Sequence, residues 1–300
     1  MAKICYNIPM KYDIRLAPMA GITDIHYRNL VRQLGFSGTV YTEMIASLGI
    51  YYNNQKTLDM LKITEEELPC TLQLFGHSHE TMSIATKKAI EYIKNTCGSY
   101  VSEHIGININ MGCPAKKILK NHDGGNMLKD LNNAYRVYEA VRDSAQNKVS
   151  IKTRLGYDED ISNEIIKRFD CEIIIHGRLV TDEYRGEARL DGLPNLPNII
   201  YNGDIKTIED IKKYKRVMIG RAVFGKPELM AELQGQIVKK TRQEILSLQL
   251  DLLDKFYDNE CTKLNLAKKH FLWSLKDKRL EIINAKDMSD IRLILLEHSE

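Results

Sequence analysis

Between Ile14 and Gln236 short β-rich runs alternate with stretches long enough for a helix, and no other feature of the chain constrains its fold so strongly. The runs are Ile14 to Ala17, Thr39 to Thr42, Cys70 to Phe75, Ile105 to Asn110, Val149 to Thr153, Glu172 to His176, Ile199 to Asn202 and Val217 to Ile219. Strands joined by helix-length crossovers pair in parallel, and eight of them suffice to close a (β/α)8 TIM barrel, a fold that usually takes roughly 250 residues. An open, doubly wound sheet would alternate in the same way. Closure is favoured by the number of runs and by the polar residues that follow nearly every one, where barrel enzymes carry their chemistry. The helices are legible from their caps: Asp24 opens one that runs through Leu34 to Gly35, and Ser78 or His79 opens another with Met82, Ala85, Ala89 and Ile93 on one face. The predicted fold class is therefore α/β, a (β/α)8 barrel over residues 1–236.

After Gln236 glycine and proline vanish and no strand run follows. Leu246, Leu250, Leu253 and Tyr257 lie at helical spacing, as do Leu264, Ala267, Phe271 and Leu275, with Ile291 and Leu295 beyond. Residues 237–300 are predicted to form a small all-helical C-terminal domain, either a packing appendage or a partner-binding module.

A hydrophobic share of 43% and a charged share of 28% over 300 residues fit one large globular core with such an appendage. No apolar run approaches the ~18 residues that span a bilayer, and the opening Met1 to Tyr6 lacks the apolar heart of a secretory signal, so a cytoplasmic location without a membrane partner is expected. The six cysteines, Cys5, Cys70, Cys97, Cys113, Cys171 and Cys261, show neither a CxxC pair nor a histidine at ligand spacing. Free thiols are expected, with no metal and no disulfide framework. A net charge of +3 is too mild to argue for a nucleic-acid partner, and nothing implies an oligomer.

The strand ends carry the chemistry. The first leads into Ala17-Pro18-Met19-Ala20-Gly21, whose small residues let a planar ligand approach the backbone, although a plain tight turn reads the same way. The third ends in Gln73-Leu74-Phe75-Gly76. The fourth ends in Asn108-Ile109-Asn110-Met111-Gly112-Cys113-Pro114. A lone cysteine is ordinarily a small buried hydrophobe, but between glycine and proline on a loop Cys113 suits a thiol that meets a substrate. On the fifth, alternation turns Lys152 and Arg154 to one side, and an unpartnered ammonium inside a barrel is costly enough to imply an anionic or acceptor-rich ligand. His176-Gly177-Arg178 follows the apolar Ile173 to Ile175. Alone, His176 reads as a satisfied core histidine; beside Lys152 on the neighbouring strand it reads as a ligand contact. Asn202-Gly203-Asp204-Ile205 and Ile219-Gly220-Arg221-Ala222 end the last two strands, where barrels often bind phosphate. No GxGxxG turn or GxxxxGK[ST] loop is present, which removes dinucleotide-fold and P-loop readings.

Taken in order, Ala-Pro-Met-Ala-Gly-Ile-Thr-Asp, Gln-Leu-Phe-Gly, Asn-Met-Gly-Cys-Pro-Ala-Lys-Lys, Lys-Thr-Arg-Leu-Gly, His-Gly-Arg, Asn-Gly-Asp-Ile and Ile-Gly-Arg-Ala resemble the tRNA-dihydrouridine synthases from Leu16 to about Pro227. The resemblance implies an FMN-containing barrel with a tRNA-binding helical domain, which reduces uridine in tRNA to 5,6-dihydrouridine at the expense of NADPH. It gives Pro18, Met19 and Ala20 to the flavin ring, Gln73 and Lys152 to its polar edge, and His176, Asn202, Gly203, Asp204, Gly220 and Arg221 to the ribityl and phosphate. Cys113 matches the catalytic acid. Glu43, Asn110, Lys116, Arg154 and Arg178 make the expected substrate-binding set, with Lys117, Lys120, Arg185 and Arg189 extending a basic rim for RNA backbone.

Two stretches depart from the family pattern. Leu179 to Glu183 replace its usual continuation after Arg178, and Arg189 to Pro197, with two prolines, is too short for a crossover helix, so one barrel helix is expected to be missing or vestigial. The loop Asn121 to Asn126 carries larger residues than usual after Cys113. Two other functions remain open at this stage: an FMN-dependent reductase of a free pyrimidine or small enone, and a tRNA-binding paralogue without catalysis.

Overall fold

A computed structural model of the chain describes residues 12–297. Eight strands form one sheet: β1 (Asp13–Leu16), β2 (Val40–Ala46), β3 (Cys70–Phe75), β4 (Gly106–Met111), β5 (Val149–Arg154), β6 (Glu172–His176), β7 (Ile199–Asn202) and β8 (Arg216–Ile219). All neighbours pair in parallel in the order β1-β8-β7-β6-β5-β4-β3-β2. The ring is completed between β1 and β2, where the Leu16 N–H donates to the Thr39 carbonyl at 2.9 Å. The predicted barrel is therefore observed, with strand bounds displaced by a residue or so except at β2, which runs on to Ala46.

Each strand buries both faces, which is why Ile173-Ile174-Ile175 is apolar without alternation. The outward faces join the helices in the main core, while Ala17, Tyr41, Ile174, Ile200 and Met218 fill the barrel interior. Below that layer the floor is ionic. Arg15 donates to Asp13, to Glu172 and, at 3.1 Å, to the Tyr41 hydroxyl, and Arg216 reaches Glu172 at 2.7 Å. The amino-terminal end is thereby sealed, leaving the carboxyl end as the open face.

The caps fall as predicted. The Asp24 carboxylate accepts the Tyr27 N–H at 3.2 Å at the head of the helix Ile25–Gln33, and Ser78 Oγ accepts the Thr81 N–H at 3.2 Å ahead of His79–Cys97. Between β6 and β7 no helix forms. Residues 177–198 instead run as turns and extended chain from the carboxyl end of β6 back to its amino end, where Asn198 Nδ2 donates to the Cys171 carbonyl at 3.1 Å, as the two prolines and the short spacing require.

Four helices close the described chain, Arg242–Phe256, Glu260–Ser274, Arg279–Asn284 and Met288–Glu297. Leu246, Leu250 and Leu253 pack with Ala267, Phe271, Leu275, Ile291 and Leu295 in a second core, while Ile245 and Leu252 on the same first helix belong to the barrel's. Tyr257 stands just past that helix and donates its hydroxyl to Asp24 at 2.7 Å, so the expected stripe ends in a tether. Cys70, Cys97, Cys113, Cys171 and Cys261 are free thiols; Cys5, like the opening Met1 to Tyr6, lies outside the described residues. Among the described residues no helix is long and apolar enough to cross a membrane.

Candidate active site

Inward-facing amides of β3 and β4 form a ladder leading up to Cys113. Gln73 Nε2 donates to Asn108 Oδ1 at 2.7 Å, Asn108 Nδ2 to Ser150 Oγ at 2.9 Å, and Asn110 Nδ2 to Gln73 Oε1 at 3.0 Å. The free oxygen of Asn110 accepts the N–H groups of Gly112 and Cys113 at 3.1 and 3.0 Å. Asn110 therefore fixes the backbone of the thiol loop, and Gln73, wholly buried, fixes Asn110. Asn108 and Ser150 went unsuspected in the sequence, where nothing local distinguishes a ladder residue from any other inward polar side chain.

Cys113 is partly buried beside β5. Burial raises its pKa above that of a free thiol, outweighing the Ala115 N–H and the cations of Lys152 and Arg154, so it is protonated at neutral pH. Lys152 is opposite Asn110 in the β4–β5 register, and burial together with Arg154 pushes its pKa down to about 7. Arg154, not Lys152, is the register partner of His176. Burial and the cations of Lys152, Arg154, Arg178 and Arg221 push the His176 pKa down to about 2, which keeps the ring neutral.

This crowding of positive charge has an unfilled acceptor side. His176 Nδ1 and Arg178 Nη1 are buried without a hydrogen-bond partner, although buried donors and acceptors are ordinarily satisfied. Asp204 offsets part of the charge, bonding Arg178 at 2.6 Å, the Ala188 N–H at 2.9 Å and Arg221 at 3.3 Å. Burial would raise its pKa, but these partners hold it below the usual carboxylate range. Arg178, Tyr184, Gly203, Asp204, Tyr214 and Arg221 line a cavity of about 520 Å³ here. Gly203 has φ +117°, and a Cβ there would crowd the Ala188 methyl at 2.8 Å, so glycine is required. Orphaned nitrogens beside Arg178 and Arg221, which follow β6 and β8, with Lys152 and Arg154 of β5 adding to the positive field, fit a phosphate.

The remaining expected residues fall around this centre. Pro18 and Met19 are partly buried and Ala20 exposed in the turn after β1, and Gly220 lies against Ala17 and Met19. Asn202 donates to the Met218 carbonyl at 2.8 Å. Glu43, on a β2 bulge, accepts the Gly21 N–H, and burial raises its pKa. Lys116 is exposed, with Lys117, Lys120, Arg185 and Arg189. Arg178 does not stand on that rim. It is 2% exposed, turned inward by the Arg185 and Gly186 carbonyls as well as Asp204. Arg154 is likewise buried, donating to the carbonyls of Gly112, Leu179 and Glu183. Both arginines hold the chain where the sixth crossover helix would have stood. Tyr184, exposed on that segment, stacks over Arg221 and Arg154 at 4.9 and 5.3 Å.

Comparison with known families assigns residues 15–287 to the model described as Dihydrouridine synthase (Dus). The chain belongs to the dihydrouridine synthase family. Among its curated relatives within that family, a probable tRNA-dihydrouridine synthase of Rhizobium leguminosarum bv. phaseoli is 32% identical over 282 residues, covering 87% of this chain and 84% of its own. The tRNA-dihydrouridine synthase B of Pseudomonas syringae pv. tomato is 31% identical over 287 residues, covering 87% and 81%. A probable tRNA-dihydrouridine synthase of Rickettsia bellii is 29% identical over 295 residues, covering 89% and 86%.

Proposed function

We propose that this family member is a tRNA-dihydrouridine synthase that reduces the C5=C6 bond of a uracil base in tRNA, with FMN as resident cofactor and NADPH as reductant. The observation that carries the reading is the pairing of a protonated Cys113, held by Asn110, with two buried nitrogens left without a partner, His176 Nδ1 and Arg178 Nη1, at the end of β6 two strands away. When bound, the flavin supplies a hydride for uracil C6.

His176, Asn202, Gly203, Asp204, Gly220 and Arg221 would hold its phosphate and ribityl chain, with Arg178 joining them through its free Nη1. Lys152 and the turn Pro18, Met19 and Ala20 would meet the ring. Gln73 acts at one remove as well, since its carbonyl oxygen is engaged by Asn110. The Cys113 thiol donates the proton to C5, completing the addition of two hydrogens, and the thiolate left behind is eased by Lys152 and Arg154 before it takes a proton from solvent. A stacked uridine reaches this site only when extruded, at a few kcal/mol. Lys116, Lys117 and Lys120 on the rim, together with the C-terminal helices, would hold the RNA during that step.

The test is to map dihydrouridine along tRNA from cells that lack the protein. At least one position is expected to lose the modification and to regain it with the wild-type gene. Unchanged tRNA, or turnover of free uracil without tRNA, would overturn the reading.

A further inference from the structure

Loops from two different strands meet beside Cys113 through His77 and Asp123. His77 follows Gly76 at the end of β3, and its carbonyl is fixed by Asn133 Nδ2 at 2.9 Å, from the first turn of the helix Leu131–Ser144. Its ring Nδ1 lies 2.9 Å from Asp123 Oδ1. The histidine side chain is 44% exposed and the carboxylate 7%, so the buried member of the pair is the acid.

Asp123 begins the turn on which Cys113 packs. The Gly125 N–H donates to the Cys113 carbonyl at 3.0 Å. A Cβ on Gly124 would come within 3.0 Å of Cys113 Cβ, and one on Gly125 within 3.1 Å of its carbonyl oxygen, so the two backbones are in close contact. The thiol loop is thus gripped on one side by Asn110 and on the other by Asp123-Gly124-Gly125. Only the second grip depends on a side-chain hydrogen bond to another loop, from His77 to Asp123. A buried carboxylate deprived of its partner must find water, and here that means moving the turn behind Cys113.

We propose that His77 is a positioning residue for proton delivery by Cys113, clasping through Asp123 the turn against which the thiol is packed. The inference rests on the reading of Cys113 as the acid in uridine reduction. His77 has no contact with the reacting atoms to make; its effect passes through the loop.

The experiment compares flavin-loaded wild-type protein with His77→Ala, His77→Gln, Cys113→Ala and the His77→Ala/Cys113→Ala double variant. One readout needs no turnover: the rate at which iodoacetamide alkylates Cys113, followed by peptide mass spectrometry with the exposed Cys261 as internal reference. The rate at Cys113 is expected to change several-fold in His77→Ala, to stay near wild type in His77→Gln, which keeps a donor, and to be constant at Cys261. In kinetics, flavin reduction by NADPH should match wild type, whereas oxidation by tRNA should slow by about 10²-fold in His77→Ala, the scale of a 1 Å misplacement. In the Cys113→Ala background the same change should have no further effect. Unaltered alkylation of Cys113 in His77→Ala, or an equal slowing with and without Cys113, would overturn the clasp. A wild-type enzyme that forms no dihydrouridine would remove the functional reading instead, while the alkylation rates still judge the clasp.

Discussion

At the scale of single residues the site separates charge-bearing groups by environment. Cys113 is kept as a thiol by burial, so Cys113→Ala should bind flavin as well as wild type while dihydrouridine formation falls by about 10²–10⁴-fold, the usual worth of a general acid. Full activity in that variant, measured by tRNA nucleoside analysis, would remove the acid and leave the rest standing. Lys152 has a different signature. Its folded pKa of about 7 lies below its ordinary 10.5, so between those values the unfolded chain binds more protons than the folded one. Stability of the flavin-free protein attributable to Lys152 therefore rises with pH from about 7 to 10.5 and is flat below that window. Urea melts of flavin-free wild type and Lys152→Met should show the variant gaining most at pH 7 or lower and the two converging by pH 10.5.

At the scale of elements, floor and mouth do separate work. Glu172 at the start of β6 is nearly buried and takes hydrogen bonds from both Arg15 and Arg216, far from Cys113 along the barrel axis. Glu172→Gln should cost about 1–3 kcal/mol in urea denaturation, because Arg15 and Arg216 are left to share Asp13, yet leave flavin content and turnover of the folded fraction unchanged. A loss of activity without a loss of stability would contradict this division. The strands and caps were legible in the sequence because their signals are local. An apolar run of four to six residues, or Ser78 three residues before Thr81, needs no distant partner to be recognised. The cation cluster was legible because strand ends in a barrel converge. What escaped was set by partners far apart in the chain. The bonds that turn Arg178 inward reach Asp204, 26 residues on, and those of the amide ladder cross from β3 to β5. Side-chain direction at such positions depends on the missing helix, and spacing carries no record of it.

At the scale of the whole molecule, the helix Arg242–Phe256 is shared property, with Ile245 and Leu252 in the barrel core and Leu246, Leu250 and Leu253 in the helical one. The seam is reinforced by Tyr257 on Asp24, by Arg242 on Glu228, and by Trp273 against Phe224 at 5.2 Å. Two units so joined should unfold as one. Trp273 is the sole tryptophan and reports the seam between the helical part and the barrel, so its fluorescence and the far-ultraviolet circular dichroism should give the same denaturant midpoint. Separate midpoints would mean that the barrel stands without its appendage.

The segment 177–198 owes its path to arginines rather than to a helix of its own. Arg154 and Arg178 grip its carbonyls, and Arg178 also lines the cavity proposed to take the flavin phosphate, so filling that cavity and ordering this stretch would be thermodynamically tied. Trypsin supplies a clock for that tie. Cleavage after the exposed Arg185 or Arg189 should be fast in flavin-stripped enzyme and slow on reloading, so that a nick on the protein's outside tells whether its interior is occupied.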